Sequence, residues 1–374
     1  MSSGSDHDYM ARAIRLAERG RYTTHPNPRV GCVLVKGDEI VGEGYHRRAG
    51  EPHAERNAIA MAGARAEGST AYVTLEPCCH HGRTPPCTEG LIEAGVTRVV
   101  AAMEDPNPQV SGKGLAQLQQ AGITAEVGLM RLQAEALNPG FIKHMHYGKP
   151  FVRCKLAMSL DGRTAMASGE SKWITSSAAR HDVHLLRARS SAILTGISTV
   201  LADDASMNVR LTSQELGLDE GLQTPHPVRV VLDPQLEMSP AAKMLALPGK
   251  TLVLGSDDHP RQAAALEAAG AEVVLVTPRD DVLDLTAVMA QLTARELHEV
   301  MLESGAVLAG AMLEQQLIDE LVIYVAPHIM GDGARGLFHL PGLKKMEDRL
   351  ELDITDLRQV GEEIRITARP LYRE

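Results

Sequence analysis

One imidazole and two thiols, at His53, Cys78 and Cys87, constrain this chain more than anything else in it. Cys78 lies 23 residues beyond Glu55, and Cys87 nine residues beyond Cys78. If one ion takes all three side chains, the elements that carry them must converge on a point. A catalytic zinc uses three protein ligands and keeps one position open, whereas a structural zinc closes with a fourth. Cys79, His80 and His81 are candidates for such closure, but adjacent residues rarely point at one metal, and the set reads as His53, Cys78 and Cys87. The open position then belongs to water, whose pKa zinc lowers from about 15.7 to about 7. Glu55 is left free as the proton carrier. In zinc deaminases a glutamate that is not a ligand moves the proton from the attacking water to the ring nitrogen and the departing ammonia. A lone His-Ala-Glu is a chance pattern; joined to Pro77-Cys78 and Cys87 it reads as a hydrolytic zinc deaminase.

The rest of the composition narrows the class. At 374 residues the chain exceeds what one core usually holds, so two domains are expected. Lys plus Arg number 38 against 48 Asp plus Glu, a net charge of −10 with no basic run. Phosphate neutralisation needs clustered cations, so nucleic acid is excluded as a partner. Of the five cysteines three fall in one short stretch, which suits metal ligation in a reducing cytoplasm rather than a disulfide framework. No apolar run reaches the roughly 18 residues of a membrane span, and the start MSSGSDHDY has no signal-peptide core.

Apolar Met10, Ile14 and Ala17 predict a helix over residues 6–20, stopped by Gly20. Strands are expected over 29–35 and 39–45, joined across Gly37-Asp38. His53 opens a helix over 54–65, a strand over 71–75 delivers Pro77-Cys78, and Cys87 starts the next helix. Helix starts favour thiolate. A strand over 98–103, a helix over 114–121 and a strand over 124–127 follow, giving the order ββαβαβαβ after the first helix. The pattern breaks at Asn138-Pro139-Gly140 and again at Gly148-Lys149-Pro150, which places domains at 1–147 and 148–374. In the second half, strands over 151–157, 191–195, 228–232, 251–254, 272–276 and 299–303 alternate with helical stretches, which predicts a largely parallel sheet. Strands over 321–326, 350–354 and 363–368 lack intervening helices of any length and are expected to be antiparallel, with Gly361 in a hairpin turn. The fold class is α/β in two domains, an α/β/α sandwich and a mixed sheet with helices on both faces.

Glu303-Ser304-Gly305 ends a strand and leads into an apolar helix. A glycine there lets a phosphate approach the free N–H groups of the first turn, although many such loops carry glycine for packing alone. Lys155, Asp161, Arg187, Asp203 and Arg210 add charge, but no GxGxxG follows a first strand. From spacing alone, this half is a nucleotide site at most.

Beyond these readings, His53-Ala54-Glu55, Thr74-Leu75-Glu76-Pro77-Cys78 and the run from His81 through Gly82-Arg83-Thr84-Pro85-Pro86 to Cys87 resemble the bacterial bifunctional riboflavin-biosynthesis deaminase/reductases. So do Lys155-Leu156-Ala157-Met158-Ser159-Leu160-Asp161-Gly162 and Leu194-Thr195-Gly196. The resemblance covers nearly the whole chain. It implies a cytidine-deaminase-like domain followed by a dihydrofolate-reductase-like domain, with zinc and NADPH as cofactors. The implied reactions are loss of the 2-amino group of a diamino-ribosylamino-pyrimidinone 5′-phosphate, then reduction of its ribosyl group to ribityl. By similarity Asn27 and His46 border the pyrimidine pocket. Ala157, Trp173, Thr199 and Asp203 meet the cofactor together with Gly305, Ala306, Val307, Leu308, Ala309, Gly310 and Ala311. Ser171, Arg187, Met207, Arg210 and Glu303 meet the substrate. Two arginines suit a sugar phosphate because guanidinium forks pair with its oxygens. Lys155 and Asp161 are the candidates for the proton donor of the reduction. Cys79, Ala205, Met207, Pro234 and Ser304 depart from the family pattern; Pro234 removes a hydroxyl that could contact the cofactor.

Two other readings share parts of this pattern. A tRNA or nucleobase deaminase has the same metal and glutamate but needs a basic groove and leaves residues 150–374 without purpose. A zinc-stapled nucleotide-sensing module needs no free carboxylate. The expected protein is a cytoplasmic, soluble enzyme acting on a small molecule, without nucleic acid or membrane partners, as a homodimer.

Overall fold

The computed structural model describes residues 5–81, 85–171, 174–257, 259–280 and 282–373. The chain divides into two units, Met1–Lys149 and Pro150–Glu374.

In the first unit, α1 (Asp6–Arg19) starts from a capping box in which Ser5 and Asp8 exchange side-chain and backbone bonds, and it ends at Gly20. The strands β1 (Gly31–Lys36) and β2 (Glu39–Tyr45) form the hairpin across Gly37-Asp38. Arg29 and Val30, expected in the first strand, precede it, because the Arg29 main chain pairs instead with the side chain of Asn138. Then come α2 (Ala54–Ala62), β3 (Thr70–Val73), α3 (Cys87–Glu93), β4 (Arg98–Ala101), α4 (Lys113–Gln120) and β5 (Thr124–Val127), in the order the sequence predicts. Two further helices, α5 (Arg131–Leu137) and α6 (Pro139–Tyr147), fill the stretch that reads as a break. The sheet order is β2-β1-β3-β4-β5, with β1 antiparallel to both neighbours and β3, β4 and β5 parallel.

Strand alternation sends Cys32 and Leu34 to one face and Val33 and Val35 to the other. The first pair packs with Ala54, Ala58, Leu91 and Leu118 of the helices α2, α3 and α4. The second packs with Tyr9, Met10 and Ala13 of α1 and Ala134 of α5. This makes an α/β/α sandwich. Gly44 decides how close α2 comes, since a Cβ there would lie 2.3 Å from the Ala54 carbonyl oxygen. Only glycine lets the helix carrying Glu55 rest directly on the sheet.

The second unit contains β6 (Phe151–Ser159), β7 (Arg163–Ala165), α7 (Ser177–Ala188), β8 (Ala192–Gly196), α8 (Ile197–Asp203), β9 (Val228–Leu232), β10 (Thr251–Gly255), α9 (Pro260–Ala268) and β11 (Ala271–Leu275). It continues with β12 (Pro278–Arg279), β13 (Val282–Leu283), α10 (Leu285–Ala294), β14 (Glu299–Leu302), α11 (Ala306–Glu314), β15 (Glu320–Ala326), β16 (Arg335–Gly336), β17 (Glu351–Val360) and β18 (Glu363–Leu371). Nine strands form one sheet in the order β11-β10-β9-β8-β14-β6-β15-β18-β17. Val152, Leu194, Val230 and Leu302 meet α10 and α11 on one face. On the other face Met301 and Tyr324 meet α7, and Ile193, Val231 and Val253 meet α8 and α9. The expectation that the last three strands are antiparallel holds, since β15 pairs antiparallel with β18 and β18 with β17. The strand β15 lies parallel to β6, because α11 carries the chain back across the sheet first; antiparallel pairing begins at β18. Gly361 stands in the β17–β18 turn.

Candidate active sites

His53 is the N-cap of α2, Cys78 follows the end of β3, and Cys87 is the first residue of α3. These three bring their donor atoms within 4.8 Å of one another. Cys79 and His81 are not in that group, and His81 pairs with Glu89 at 3.3 Å. The donor set fits zinc. Tetrahedral bonds of ~2.3 Å to sulfur and ~2.05 Å to nitrogen set sulfur–nitrogen edges of about 3.6 Å, and His53 Nδ1 lies 3.6 Å from Cys78 Sγ and 3.3 Å from Cys87 Sγ. Cys78 is pulled down towards thiolate by the Cys87 thiol, with further help from His53 and from the Cys87 backbone N–H, 3.3 Å away. Cys87 is pushed up in turn, by Cys78 and by burial. The two sulfurs share the remaining proton, which a bound dication displaces.

Glu55, on the first turn of α2, is buried and not a member of the donor group. Burial, then the Cys78 charge, raises its pKa, and it hydrogen-bonds the Cys87 side chain. A cavity of about 60 Å³ opens over these residues, walled by Pro28, Val30, His46, Leu75, Glu76 and Asp105, large enough to hold ordered water. Burial pulls the pKa of His46 down, so its ring is neutral. Its Nδ1 donates to the Pro52 carbonyl at 3.3 Å, and Nε2 therefore accepts from Asn27 Nδ2 at 3.1 Å. Asn27 keeps its second N–H and its oxygen for a ligand.

Four residues that matter here have roles that escape the sequence reading. Glu76 is 3% exposed and accepts four backbone N–H bonds, from Asp105 and Gly112 on one oxygen and Gly114 and Leu115 on the other, at 2.9–3.2 Å. It clamps the start of α4 and the Asp105 turn onto the strand end that delivers Cys78. Gly114 is obligatory, since a Cβ there would lie 2.1 Å from the Pro77 carbonyl oxygen. Asp105 is pushed up to about 7, chiefly by burial. Asn138 fixes Arg29 by a two-way amide pairing at 2.7 and 2.9 Å and so holds the segment that bears Asn27. The available signals were the Glu before Pro77-Cys78 and the Asp-Pro-Asn turn at 105–107.

In the second unit a second cluster forms where β14 ends beside the middle of β6. Arg187 of α7 makes a two-pronged ion pair with Glu303, 2.6 and 2.8 Å, and donates to the Asn208 carbonyl at 2.9 Å. The pair commits two of its five N–H groups and the Asn208 carbonyl a third. Lys155 lies in the field of Glu303 and Arg187, with burial pushing its pKa down. Arg210 is exposed, its Nε 3.5 Å from Asn208 Oδ1. Met207 is buried in the core beside α8, so it offers a ligand only its backbone. In the Gly305–Ala311 segment, Ala309 and Gly310 are buried, Gly310 against the His339 main chain. What remains for a phosphate is the first turn, Gly305 to Leu308. Ala157 and Thr199 are half-buried, and Asp203 and Ser171 are exposed; Trp173 lies outside the described residues, as do Gly82, Arg83 and Thr84. Asp161 accepts from the Ser159 hydroxyl and from the Met330 and Gly331 N–H groups, which hold its pKa near 2. A carboxylate so fixed is no proton donor at neutral pH. Glu363 of β18 accepts the Ser176 N–H and hydroxyl at 2.5 and 2.6 Å, which anchors the start of α7.

The sandwich with its His-Cys-Cys centre and free glutamate, followed by a mixed-sheet unit with a cationic cluster, defines a zinc-type deaminase joined to a reductase. Family models agree: the cytidine and deoxycytidylate deaminase zinc-binding region matches residues 3–103, and the RibD C-terminal domain matches 150–366. The chain is 52% identical to riboflavin biosynthesis protein RibD of Escherichia coli over 96% of this chain and 98% of that one. It is 50% identical to that of Haemophilus influenzae over 98% of each. The structure of Acinetobacter baumannii RibD superposes with a TM-score of 0.89 at 45% identity, over 98% of this chain and 99% of that one. The Thermotoga maritima diaminohydroxyphosphoribosylaminopyrimidine deaminase/5-amino-6-(5-phosphoribosylamino)uracil reductase gives 0.85 at 32%, with the same coverage. The chain belongs to the RibD family of bifunctional riboflavin-biosynthesis deaminase/reductases.

Proposed function

We propose that the first unit removes the 2-amino group of 2,5-diamino-6-ribosylamino-4(3H)-pyrimidinone 5′-phosphate. The second unit then reduces the ribosyl side chain to give 5-amino-6-ribitylaminouracil 5′-phosphate. The observation that carries the first assignment is the convergence of His53, Cys78 and Cys87 beside a buried carboxylate that is not among them. When bound, zinc supplies the Lewis acidity that makes water a nucleophile at neutral pH. Glu55 takes one proton from that water to the ring nitrogen and then relays the water's second proton to the departing amine, which leaves as ammonia. Asn27, held by His46, orients the pyrimidine with its free amide groups.

When bound, NADPH supplies hydride to C1′ of the sugar. The first turn of α11 holds a phosphate of the cofactor, and Ala157, Thr199 and Asp203 border it. Arg210 binds the sugar phosphate, and Glu303 and Ser171 border the sugar. As the C1′–oxygen bond opens, the leaving ring oxygen takes a proton, for which we assign Lys155 as donor; its pKa is lowered by burial, beside Glu303 and Arg187. The acidic balance of the chain supports a small-molecule substrate over nucleic acid, and five unpaired cysteines support a cytoplasmic location.

Each unit has cores of its own, so residues 1–149 and 150–374 expressed separately are expected to fold and to catalyse one half-reaction each. Ammonia release with one zinc per chain from the first piece, and oxidation of NADPH by the second with the deaminated substrate, check this. Two inactive, unfolded pieces would refute the independence of the units.

A homodimer is the assembly we infer. The strand β17 is a ten-residue edge that, among the described residues, pairs only with β18, and Ile354 and Leu357 on it are 58% and 64% exposed. An unprotected edge of this length is a template for pairing. Light scattering is expected to give twice the chain mass, and Ile354→Lys with Leu357→Lys to give monomers. A monomeric wild type at micromolar concentration would rule the dimer out.

A further inference from the structure

His184 sits on α7 three residues before Arg187, so the two side chains share a face of that helix. Both reach the same irregular segment. Arg187 Nη1 donates to the Asn208 carbonyl at 2.9 Å, and the Arg210 backbone N–H donates to His184 Nδ1 at 3.3 Å. The segment needs such anchors. It follows the last turn of α8 without regular structure, and Met207 in it takes a φ of 46°, a left-handed conformation disfavoured for a residue with a Cβ. Beyond its main chain, Arg210 is tethered among the described residues only by the 3.5 Å contact of Nε with Asn208. The point from which its long side chain starts is held by the His184 bond, between the buried neighbours Val209 and Leu211.

We propose that His184 is a positioning residue of the reductase step: by accepting the Arg210 main-chain N–H on Nδ1, it fixes the guanidinium that binds the sugar phosphate. This rests on the reading of Arg210 as the phosphate ligand. Accepting on Nδ1 requires the neutral tautomer with its proton on Nε2. The surroundings enforce it, since burial and the facing Arg187 and Arg210 push His184 down to about 4 against the opposing pull of Glu303, with His181 adding to the push. At neutral pH the acceptor is always present.

The test measures reductase kinetics on the full chain with the phosphorylated, deaminated substrate. Loss of one neutral hydrogen bond predicts that His184→Ala raises KM roughly five- to tenfold, while kcat, the KM for NADPH and ammonia release by the other unit stay near wild type. Asparagine places its oxygen where Nδ1 stands, so His184→Asn restores KM to near the wild-type value; glutamine places its acceptor one bond further out, so His184→Gln does not. Acting through Arg210 also predicts that His184→Ala adds nothing to the KM of Arg210→Met. An unchanged KM in His184→Ala, equal KM values for the Asn and Gln variants, or additive effects in the double variant overturn the proposal. Should His184→Ala not fold, the Asn and Gln pair decides alone. If Arg210→Met itself leaves KM unchanged, the phosphate assignment has failed and not the hydrogen bond.

Discussion

Glu55→Ala is expected to lower the rate of ammonia release by about a thousandfold, within the range general acid–base catalysis contributes, while the zinc content stays at one per chain. The two parts of this result come from different atoms. The metal is held by His53, Cys78 and Cys87, whose mutual distances do not involve the glutamate. Proton transfer is assigned to Glu55, which is hydrogen-bonded to the Cys87 side chain, whereas His46 is committed on both ring nitrogens. Glu76 has both oxygens occupied by backbone donors. Glu55→Gln keeps the shape and loses the proton, so it is expected to be as slow as the alanine variant. Reduction of the deaminated substrate by the same preparation is expected to proceed at the wild-type rate, which controls for folding. Metal analysis alongside an ammonia assay checks both halves. Turnover above about a tenth of wild type would remove Glu55 from the proton path, since a positioned acid–base group contributes at least about a hundredfold.

The parts of this architecture that were legible in the sequence are those written locally. Helical spacing and Gly20 bound α1; a strand end and two helix starts place Cys78, His53 and Cys87. What the sequence hides are bonds made across long separations. Glu76 reads as part of a motif, but its four partners lie 29 to 39 residues away, and nothing local marks a glutamate as a buried clamp. Asn138 sits in an Asn-Pro-Gly triplet that signals a break, yet it pairs with a residue 109 positions earlier and lies between two helices. The pairing of β15 with β6 is hidden for a related reason. The hydrophobic α11 follows a phosphate-type loop in the sequence, and its second role, as the crossover that sets β15 parallel to β6, follows only from the topology.

The two arginines expected at the sugar phosphate are not equivalent, and their replacement separates stability from binding. Arg187 and Glu303 are each 13% exposed at their side chains and bonded through two N–H groups. Removing one partner of such a pair leaves an uncompensated charge, a loss of about 3–5 kcal/mol. Arg187→Met is therefore expected to shift the urea midpoint of unfolding, followed by circular dichroism, well below that of the wild type and to abolish turnover, since Glu303 then turns to Lys155, the remaining cation in its field, and the Asn208 carbonyl loses its donor. Arg210 is exposed and ends in solvent, so Arg210→Met changes stability by no more than ~0.5 kcal/mol and raises KM alone. Arg187→Met combined with Glu303→Gln removes both charges and is expected to recover most of the midpoint but none of the activity. A stable Arg187→Met enzyme with only a raised KM would show that Arg187 serves the phosphate directly and that the ion pair is dispensable. Recovery of activity in the double variant would remove Glu303 from the sugar site.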